Sequence, residues 1–290
     1  MKYYYYFSYA TNTNPTSWTD WCRKIGYSVE ESPHERTFQK IDNAFLPDWM
    51  LEYIREGESE NVVLGISPAF GCTAPGVLYR VDENGLKKLE TRAQLGNVFE
   101  KVDVLVQTGS GYHKAFTFAS CEKNRSPKPL KPDKDYVRTI TDGFSFNGLS
   151  DIPVRMTPQW KERMRSPLLF VYDSMRKGGI LQEQLADFVR KPAKVKGQMY
   201  LINKYPGLCL NPNGNNVLGE LVSVDRETIR RLDRLQGFYG YSSEKSLFFR
   251  YWLSMEEWGH DFGAWVYILA RPEKDMQAMP KITSGDWLNK

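Results

Sequence analysis

An internal repeat constrains the fold of this chain more than any other feature of its sequence. Three local patterns occur twice and in the same order: a β-rich run ending in a polar turn, a strand–turn–helix segment, and a pair of hairpin strands. Their two copies lie at 3–14 and 167–179, at 74–90 and 218–233, and at 97–119 and 246–270. Three recurrences in one order indicate a tandem duplication that has since diverged.

The strand–turn–helix segments, APGVLYRVDENGLKKLE and LGELVSVDRETIRRLD, correspond closely. In each, a glycine precedes a β-branched run, an aspartate occupies a helix N-cap position, and leucine or isoleucine recurs at helical spacing. The corresponding pairs are Gly76 and Gly219, Asp82 and Asp225, and Leu89 and Leu232. Strands from both ends of each half must pair while short helices pack outside. The predicted fold is therefore α+β: a mixed sheet or small β-barrel with short helices outside it, formed twice.

The boundary between the halves lies in DIPVRMTPQWKERMRS, where prolines and charges separate two apolar runs. We predict a first domain at 1–155, a second at 166–290 and a linker at 151–166. The 290 residues are enough for two domains of ordinary size.

Composition and charge exclude several classes of protein. A hydrophobic content of 41% is typical of globular chains, and the net charge of +4 is spread out rather than clustered as on a nucleic-acid surface. The densest basic patch, KPLKPDKDY, is interrupted by aspartates and is expected to be a solvated loop. No apolar run approaches the ~20 residues of a membrane span, and MKYYYYFSYA lacks the apolar core of a signal peptide. We expect a soluble cytoplasmic protein with neither a membrane nor a nucleic-acid partner.

Cysteines and histidines are scattered and form none of the usual metal-binding spacings. Without a CxxC pair, the cysteines are expected to be buried free thiols in a reducing compartment. Without an HxH or HExxH pattern, the histidines predict no metal site, and the sequence implies no cofactor. These residues are Cys22, Cys72, Cys121 and Cys209, with His34, His113 and His260.

Motifs of the second half run in the order of a known family. FVYDSMRKGG matches the opening pattern FVYGTLRRG, YPGL is the tetrapeptide expected after the second strand, and GELVSVD matches GEVYxVD. LDRLQG matches LDxLEG, and FFR and AWVYI match the closing hairpin. On these motifs the second half resembles the γ-glutamylcyclotransferase superfamily, particularly its γ-glutamylamine cyclotransferase-like branch, also called AIG2-like.

The first half resembles a longer branch of the same superfamily. YFSYATNT stands where that branch has YFAYGSNM, and GVLYRVDENGLKKL matches its strand–helix segment. PLKPDKDYVRTITDGFSFNGLS matches its PSxxYLxxIxxGAxxxGLP segment. The resemblance is weakest over 27–60 and otherwise spans most of both halves.

The resemblance implies a reaction that releases 5-oxoproline from a γ-glutamyl amide. The α-amine of the substrate attacks its own γ-carbonyl and expels the attached amine. In this family the opening YGS or YGT loop is understood to cradle the glutamyl group with backbone N–H donors. The glutamate of LDxxEG takes the proton from the attacking ammonium and returns it to the leaving amine.

Both halves depart from the family pattern at these positions. In the second half Gln236 replaces the glutamate and Asp173 replaces the loop glycine; an amide cannot act as a proton base. In the first half the acid position is Ala93, while Ala10 and Thr11 replace the loop glycine and serine. The substrate-binding residues that the resemblance implies are Tyr172, Ser174 and Met175, with Tyr9, Ala10, Thr11 and Asn12.

Three hypotheses remain open from the sequence. Gln236 can be a relic in a pocket that no longer turns over, or Asp173 can serve as the base while Gln236 orients a γ-glutamyl conjugate. The negative charge of Asp173 would then repel a substrate carboxylate and favour an ammonium, as in an amine-rich or natural-product amide. On this hypothesis Asp173 does more than cap its turn, the commoner role of such an aspartate.

The third hypothesis is a tandem pseudo-enzyme that binds a metabolite or a protein partner. Two aromatic-rich segments support it: the predicted loop SWTDWC (17–22) and the insertion FLPDWMLEYIREGESE (45–60). In the insertion, Trp49, Leu51 and Tyr53 with Ile54 could form one face of a short helix, although such stripes more often pack in a core.

Overall fold

The computed structural model describes residues 2–28, 30, 33–163, 166–254, 263–271, 276 and 278–289. The chain divides into two compact units, Met1–Met164 and Arg165–Lys290. Each unit combines a β-sheet with short helices, and the sheet of the first is closed into a barrel. The predicted α+β class is therefore confirmed.

The strands of the first unit pair in the order β1-β3-β2-β4-β5. A parallel contact between Tyr6 of β1 and Phe116 of β5 closes the barrel. The strands are β1 (Tyr3–Ser8), β2 (Gln39–Arg55), β3 (Val62–Asp82), β4 (Phe99–Thr108) and β5 (Gly111–Ser120). The helices are α1 (Pro15–Lys24), α2 (His34–Thr37), α3 (Glu83–Arg92), α4 (Lys134–Phe146) and α5 (Ile152–Arg163).

In the described part of the second unit, seven strands form one mixed sheet in the order β10-β11-β6-β9-β7-β12, with β8 also paired to β7. The parallel pair is β11 with β6, at Trp265–Leu169 and Val266–Phe170. The elements are β6 (Leu168–Val171), β7 (Arg190–Ile202), β8 (Tyr205–Leu210), β9 (Asn215–Ser223), α6 (Arg226–Leu235), β10 (Phe248–Leu253), β11 (Ala264–Leu269) and β12 (Lys281–Ile282).

The matched glycines Gly76 and Gly219 have the same packing role in the two units. A Cβ on Gly76 would lie 2.3 Å from the carbonyl oxygen of Ser8, and one on Gly219 would lie 2.5 Å from that of Val171. Each would also meet the ring of the phenylalanine one residue before that carbonyl. The first strand of each unit thus approaches its neighbour so closely that only glycine fits.

The two aspartates predicted as N-caps cap equivalent helices. The Asp82 carboxylate accepts a hydrogen bond from the backbone N–H of Gly85 at 2.7 Å, and that of Asp225 accepts one from Thr228 at 2.6 Å. The helices that follow, α3 and α6, are each ten residues long. Capping satisfies one backbone N–H that the first helical turn leaves without a partner.

Both aromatic-rich segments adopt a secondary structure different from the one predicted. The segment SWTDWC belongs to helix α1 and not to a loop: Pro15 occupies the first turn, Asn14 caps it through Ser17, and Trp18 is fully buried. Residues 45–55 of the insertion belong to strand β2, so the predicted short helix is wrong.

The apolar residues of that insertion are nevertheless in the core. Leu51, Tyr53 and Ile54 are buried, and Trp49 packs against the same core. Long antiparallel pairing with β3, from Trp49 to Arg55, fixed this segment as a strand. Its apolar residues therefore do not form a free docking surface.

The predicted linker at 151–166 contains helix α5. Val154 of this helix is fully buried in the core of the first unit, and its carbonyl oxygen lies 3.4 Å from the Tyr53 hydroxyl, which donates to it. Pro153 falls in the first helical turn, where a proline costs no hydrogen bond. The segment is therefore part of the first unit rather than an extended connection.

Candidate functional site

The candidate site of the second unit begins where β6 ends. Tyr172 directly follows this strand and is buried. Its hydroxyl donates to the carbonyl oxygen of Tyr267 at 2.9 Å and accepts from the backbone N–H of Leu208 at 3.2 Å. The predicted substrate-binding Tyr172 is thus a structural anchor that ties the start of the loop to β8 and β11.

Asp173 and Gln236 lie in contact, as the second hypothesis requires. The Gln236 side-chain amide Nε2 donates to Asp173 Oδ2 at 2.8 Å, across 63 residues of sequence. The other carboxylate oxygen of Asp173, Oδ1, accepts from the backbone N–H of Met175 at 2.9 Å. Asp173 therefore caps its own turn with one oxygen and faces Gln236 with the other.

Burial makes Asp173 a weaker acid than an ordinary aspartate. Loss of solvation raises its pKa above the usual value of 3.8, while the hydrogen bonds from Met175 and Gln236 act in the opposite direction. Among the described residues no salt bridge joins Asp173 to a cation, and an ion pair would have held the pKa down. The carboxylate is thus poised to gain a proton more easily than its type suggests.

The end of helix α6 positions Gln236 through backbone bonds alone. The Gln236 N–H donates to the carbonyl oxygen of Leu232 at 2.8 Å, and the Phe238 N–H donates to that of Asp233 at 2.8 Å. Gly237 between them has φ of 63°, the left-handed conformation that closes such a helix end and favours glycine. The side chain of Gln236 is left to face the loop.

A buried ion pair also stabilises the C-terminal end of helix α6. Arg250 is fully buried, and its Nη1 donates to Asp233 Oδ2 at 3.2 Å. The Tyr267 hydroxyl donates to Asp233 Oδ1 at 2.8 Å, so both carboxylate oxygens are engaged. Tyr241 and Trp265 pack against the guanidinium, and the Tyr241 hydroxyl accepts from its Nη2 at 2.9 Å.

The C-terminal residues hold the other side of the loop. Trp287 Nε1 donates to Ser174 Oγ at 2.8 Å in a buried contact, and Arg176 Nη1 pairs with Asp286 Oδ1 at 2.6 Å. Arg190 Nη1 donates to the carbonyl oxygen of Met175 at 2.7 Å. Ser174, which the resemblance implies as a substrate-binding residue, is thus bonded within the protein through its hydroxyl. The sequence analysis missed the other four side chains. Trp287 and Asp286 lie more than 100 positions from the loop, and no local pattern indicates that Arg190 bonds the carbonyl of Met175.

The predicted site residues of the first unit are anchored in a comparable way. The Tyr9 hydroxyl donates to the carbonyl oxygen of Phe118 at 2.6 Å, and Ala10 packs against the barrel core. Thr11 and Asn12 lie in a 3₁₀ turn, Thr11–Thr13, and the Asn12 carbonyl accepts from His34 Nε2 at 2.9 Å. Tyr9 occupies the place that Tyr172 has in the second unit, one residue beyond the first strand.

Ala93, predicted from the sequence as the acid position of the first unit, directly follows helix α3. Ala93 ends α3 in the same helical conformation in which Gln236 ends α6, and its N–H donates to Leu89 O at 2.9 Å. Neither Ala93 nor Ala10 carries a group that can transfer a proton. The carboxylate of Glu90, three residues before Ala93, is instead paired with Lys101 Nζ at 2.7 Å.

The described residues also bear on the expectations for metal sites, cysteines and membrane-spanning helices. Within them no cluster of three or more His, Cys, Asp or Glu side chains could hold a metal ion. All four cysteines are free thiols; three are buried and Cys121 is partly buried. Among the helices of the described segments, none has the length and apolarity needed to traverse a bilayer.

Sequence comparison decides the family. A family profile described as "Gamma-glutamyl cyclotransferase, AIG2-like" matches residues 169–289. The chain is 31% identical over 120 residues to the γ-L-glutamyl-butirosin B γ-glutamyl cyclotransferase of Niallia circulans, covering 76% of that protein and 40% of this chain. The chain belongs to the AIG2-like γ-glutamyl cyclotransferase family. The resemblance inferred from the motifs is thereby confirmed.

Two solved structures are similar to part of this family member. A γ-glutamyl cyclotransferase is 19% identical, with a TM-score of 0.41, over 56% of this chain and 88% of that one. YkqA of Bacillus subtilis is 22% identical, with a TM-score of 0.43, over 57% of this chain and 55% of that one. The family assignment rests on the sequence relationship and not on these two structures.

Proposed function

We propose that the second unit is a γ-glutamyl cyclotransferase that uses Asp173 as its proton carrier in place of the family glutamate. The observation that carries this proposal is the 2.8 Å contact between Gln236 Nε2 and Asp173 Oδ2. The residue at the acid position thus reaches the one carboxylate of the loop. Because burial raises the pKa of that carboxylate, it can both accept and return a proton at a pH nearer neutrality.

The proposed reaction balances without a cofactor. The α-ammonium of the γ-glutamyl group gives a proton to Asp173, and the freed amine attacks the γ-carbonyl carbon. A new C–N bond closes the five-membered ring of 5-oxoproline, and the bond to the departing amine breaks. Asp173 returns its proton to the nitrogen of that amine and then carries the second proton of the attacking nitrogen to it in the same way. The amine leaves as an ammonium, the ring nitrogen keeps one hydrogen, and the carboxylate is regenerated.

Gln236 is proposed to orient rather than to transfer protons. Its amide has two N–H donors and one carbonyl acceptor, and one donor holds Asp173. The remaining groups suit the substrate amide or its ammonium. An orienting contact of this kind fixes which carboxylate oxygen faces the attacking nitrogen.

The charge of Asp173 favours an amine-rich conjugate over a plain γ-glutamyl acid. A partly buried carboxylate repels a second carboxylate and attracts an ammonium group. The Niallia circulans relative is named for a γ-L-glutamyl conjugate of butirosin B. We therefore propose a γ-glutamyl amide of an amine, or of a natural product, as the substrate class.

The first unit is proposed to be a divergent copy, of the longer cyclotransferase branch, that does not catalyse the reaction. Its matched glycine, N-cap and helix end support descent from the same unit. Ala93 and Ala10 supply no proton carrier where the second unit has Gln236 and Asp173.

The test is detection of 5-oxoproline by mass spectrometry. The full chain is incubated with γ-glutamyl amines, with larger γ-glutamyl conjugates and with glutathione, alongside Asp173→Asn and Gln236→Glu variants. Asp187→Asn is the matched control, because it makes the same change at an exposed position of the same unit. We expect product from the wild type and from Asp187→Asn, and about 10²- to 10⁴-fold slower product formation from Asp173→Asn.

Three outcomes would contradict the proposal. Product formation that survives undiminished in Asp173→Asn would remove Asp173 as the proton carrier. Product from Gln236→Glu alone would show an intact pocket that has lost its proton carrier, and the protein would then be a metabolite-binding pseudo-enzyme. Product from neither the wild type nor Gln236→Glu would favour a role in binding a protein partner.

A further inference from the structure

Arg92 of the first unit has an unusual environment at the end of α3. Its Nη2 donates to Ser17 Oγ at 2.7 Å and to Thr11 Oγ1 at 3.2 Å, so the side chain reaches the loop that corresponds to 173–175. Its Nη1 is buried and has no hydrogen-bond partner among the described residues. The matching position of α6 is Leu235, which is half exposed, so this arginine is peculiar to the first unit.

The positive charge of Arg92 has no counterion within the described residues. No carboxylate there lies within 4.0 Å of the guanidinium, which instead packs against the rings of Trp18 and Trp21. Loss of solvation lowers the pKa of Arg92 to about 10. Its nearest ionisable neighbours, Tyr6 and Tyr136, are neutral hydroxyls near pH 7. A desolvated guanidinium without an anion is costly, because cation–π contacts replace only part of its lost hydration.

A buried acceptor lies in the same polar cluster. The Asn12 side-chain Oδ1 is buried without a hydrogen-bond partner among the described residues, while Nδ2 donates to the Tyr6 hydroxyl at 3.0 Å. Asn12 directly follows Thr11, which accepts from Arg92. An unsatisfied donor and an unsatisfied acceptor thus flank one loop, and buried polar groups of this kind require partners.

We propose that the first unit binds a small carboxylate that carries an N–H group beside it. The carboxylate would accept from Arg92 Nη1, whose planar donors suit two carboxylate oxygens, and the neighbouring N–H would donate to Asn12 Oδ1. Arg92 as a whole residue is partly exposed but its Nη1 is buried, so a ligand must displace the side chains that cover this atom. Free α-amino acids and 5-oxoproline both have this chemistry. The site is one of binding, and it is independent of the activity proposed for the second unit.

Calorimetric titration of the full chain tests the site and distinguishes the two sources. The probes are 5-oxoproline, L-glutamate and the neutral lactam 2-pyrrolidinone, which keeps the N–H but lacks the carboxylate. We expect saturable binding of at least one acid and none of the lactam. Arg92→Met should weaken that binding at least tenfold, and Arg92→Lys should weaken it less, because a lysine keeps the charge but not the forked donors.

Two controls assign the binding to the first unit. Arg80→Met removes an exposed arginine of the same unit and should leave the affinity unchanged. Asp187→Asn changes an exposed residue of the second unit and should also leave it unchanged. In the wild-type protein itself, the indole NMR signals of Trp18 and Trp21 should shift as ligand is added, because both rings contact Arg92. That measurement holds even where a variant misfolds.

Three results would overturn the proposal. The first is an absence of saturable binding of either acid to the wild type. The second is an affinity that is unchanged in folded Arg92→Met, or indole signals that do not move at saturation. The third is equal affinity for 2-pyrrolidinone, which would remove the carboxylate from the recognition.

Discussion

Helices α3 and α6 begin alike and end differently. Both are ten residues long, both start after a capping aspartate, and both end in a residue of helical conformation. Towards the end, α3 has Glu90, Arg92 and Ala93 where α6 has Asp233, Leu235 and Gln236. Glu90 forms a partly exposed ion pair where Asp233 forms a buried one. Arg92 adds a buried cation beside the loop of the first unit. Ala93 lacks the contact that Gln236 makes with the loop carboxylate.

The comparison separates the residues that define the fold from those that define the chemistry. The glycine at the strand crossing and the aspartate at the N-cap are the same in both units because backbone geometry requires them. The side chains of the last helical turn and of the residue after it are not fixed by that backbone geometry, and they have diverged. The following predictions test that separation, and they run from the largest expected effect to the smallest.

Asp173→Asn should lower 5-oxoproline release about 10²- to 10⁴-fold, since proton transfer contributes on that order. The fold should not suffer. Burial raises the pKa of Asp173 above 3.8, so its contribution to stability is fully present below pH 3.8 and is lost as pH rises through the folded-state pKa. At pH 7 the asparagine variant should therefore melt at the same temperature or higher. A lower melting temperature together with full activity would reverse both assignments.

Asp233→Ala should destabilise the second unit by about 3–5 kcal/mol, because it leaves the buried Arg250 charge without its carboxylate. The matched change Glu90→Ala breaks a pair with Lys101 that is about one third exposed and should cost less than about 1 kcal/mol. Denaturant unfolding with peptide-resolved hydrogen exchange would report each unit by itself. Equal costs for the two variants would refute the contrast drawn between the helix ends.

Gly76→Ala and Gly219→Ala should each destabilise their own unit by about 1–3 kcal/mol, the usual cost of forcing an extra methyl group into a packed interior. The new Cβ would meet a backbone carbonyl oxygen that cannot move independently, at 2.3 Å and 2.5 Å respectively. Thermal unfolding of both variants is the measurement. If only one variant is destabilised, the close strand approaches at Gly76 and Gly219 are not equivalent.

Asp82→Ala and Asp225→Ala should each cost about 1 kcal/mol, the typical value for loss of an N-cap side chain. The Asp225 carboxylate has a lowered pKa because it accepts hydrogen bonds at the N-terminus of α6. Its stabilisation is therefore present above the unfolded-state pKa and disappears as pH falls through the folded-state value. A loss of stability in Asp225→Ala that persists unchanged under strongly acidic conditions would contradict this role.

Local pattern was sufficient to predict much of this fold. The alternating tyrosines of β1 have Tyr3 and Tyr5 exposed and Tyr6 buried, as a half-buried strand requires. The hairpin strands β4 with β5 and β10 with β11 were predicted from apolar runs around polar turns. The contact between Asp173 and Gln236 followed from the family resemblance, and not from periodicity.

The failures share one physical cause, which is partners that are distant in sequence. SWTDWC has helical capping through Asn14, yet its aromatic residues made it resemble a binding loop. Residues 45–55 carry apolar spacing that suits a helix as well as a strand, and pairing with β3 decided the outcome. The same distance concealed Trp287 and Asp286, which contact Ser174 and Arg176 from the end of the chain.

The helix end at 236 has a consequence for how duplicated copies diverge. Its bonds run from the backbone N–H of Gln236 to Leu232 and from that of Phe238 to Asp233, with Gly237 between them. The helix end therefore forms without help from the side chain at 236, whose bond to Asp173 serves the loop instead. Once a gene has been duplicated, such a position can drift through several amino acids without loss of a soluble product. New chemistry can then arise in one copy while the other retains the ancestral scaffold.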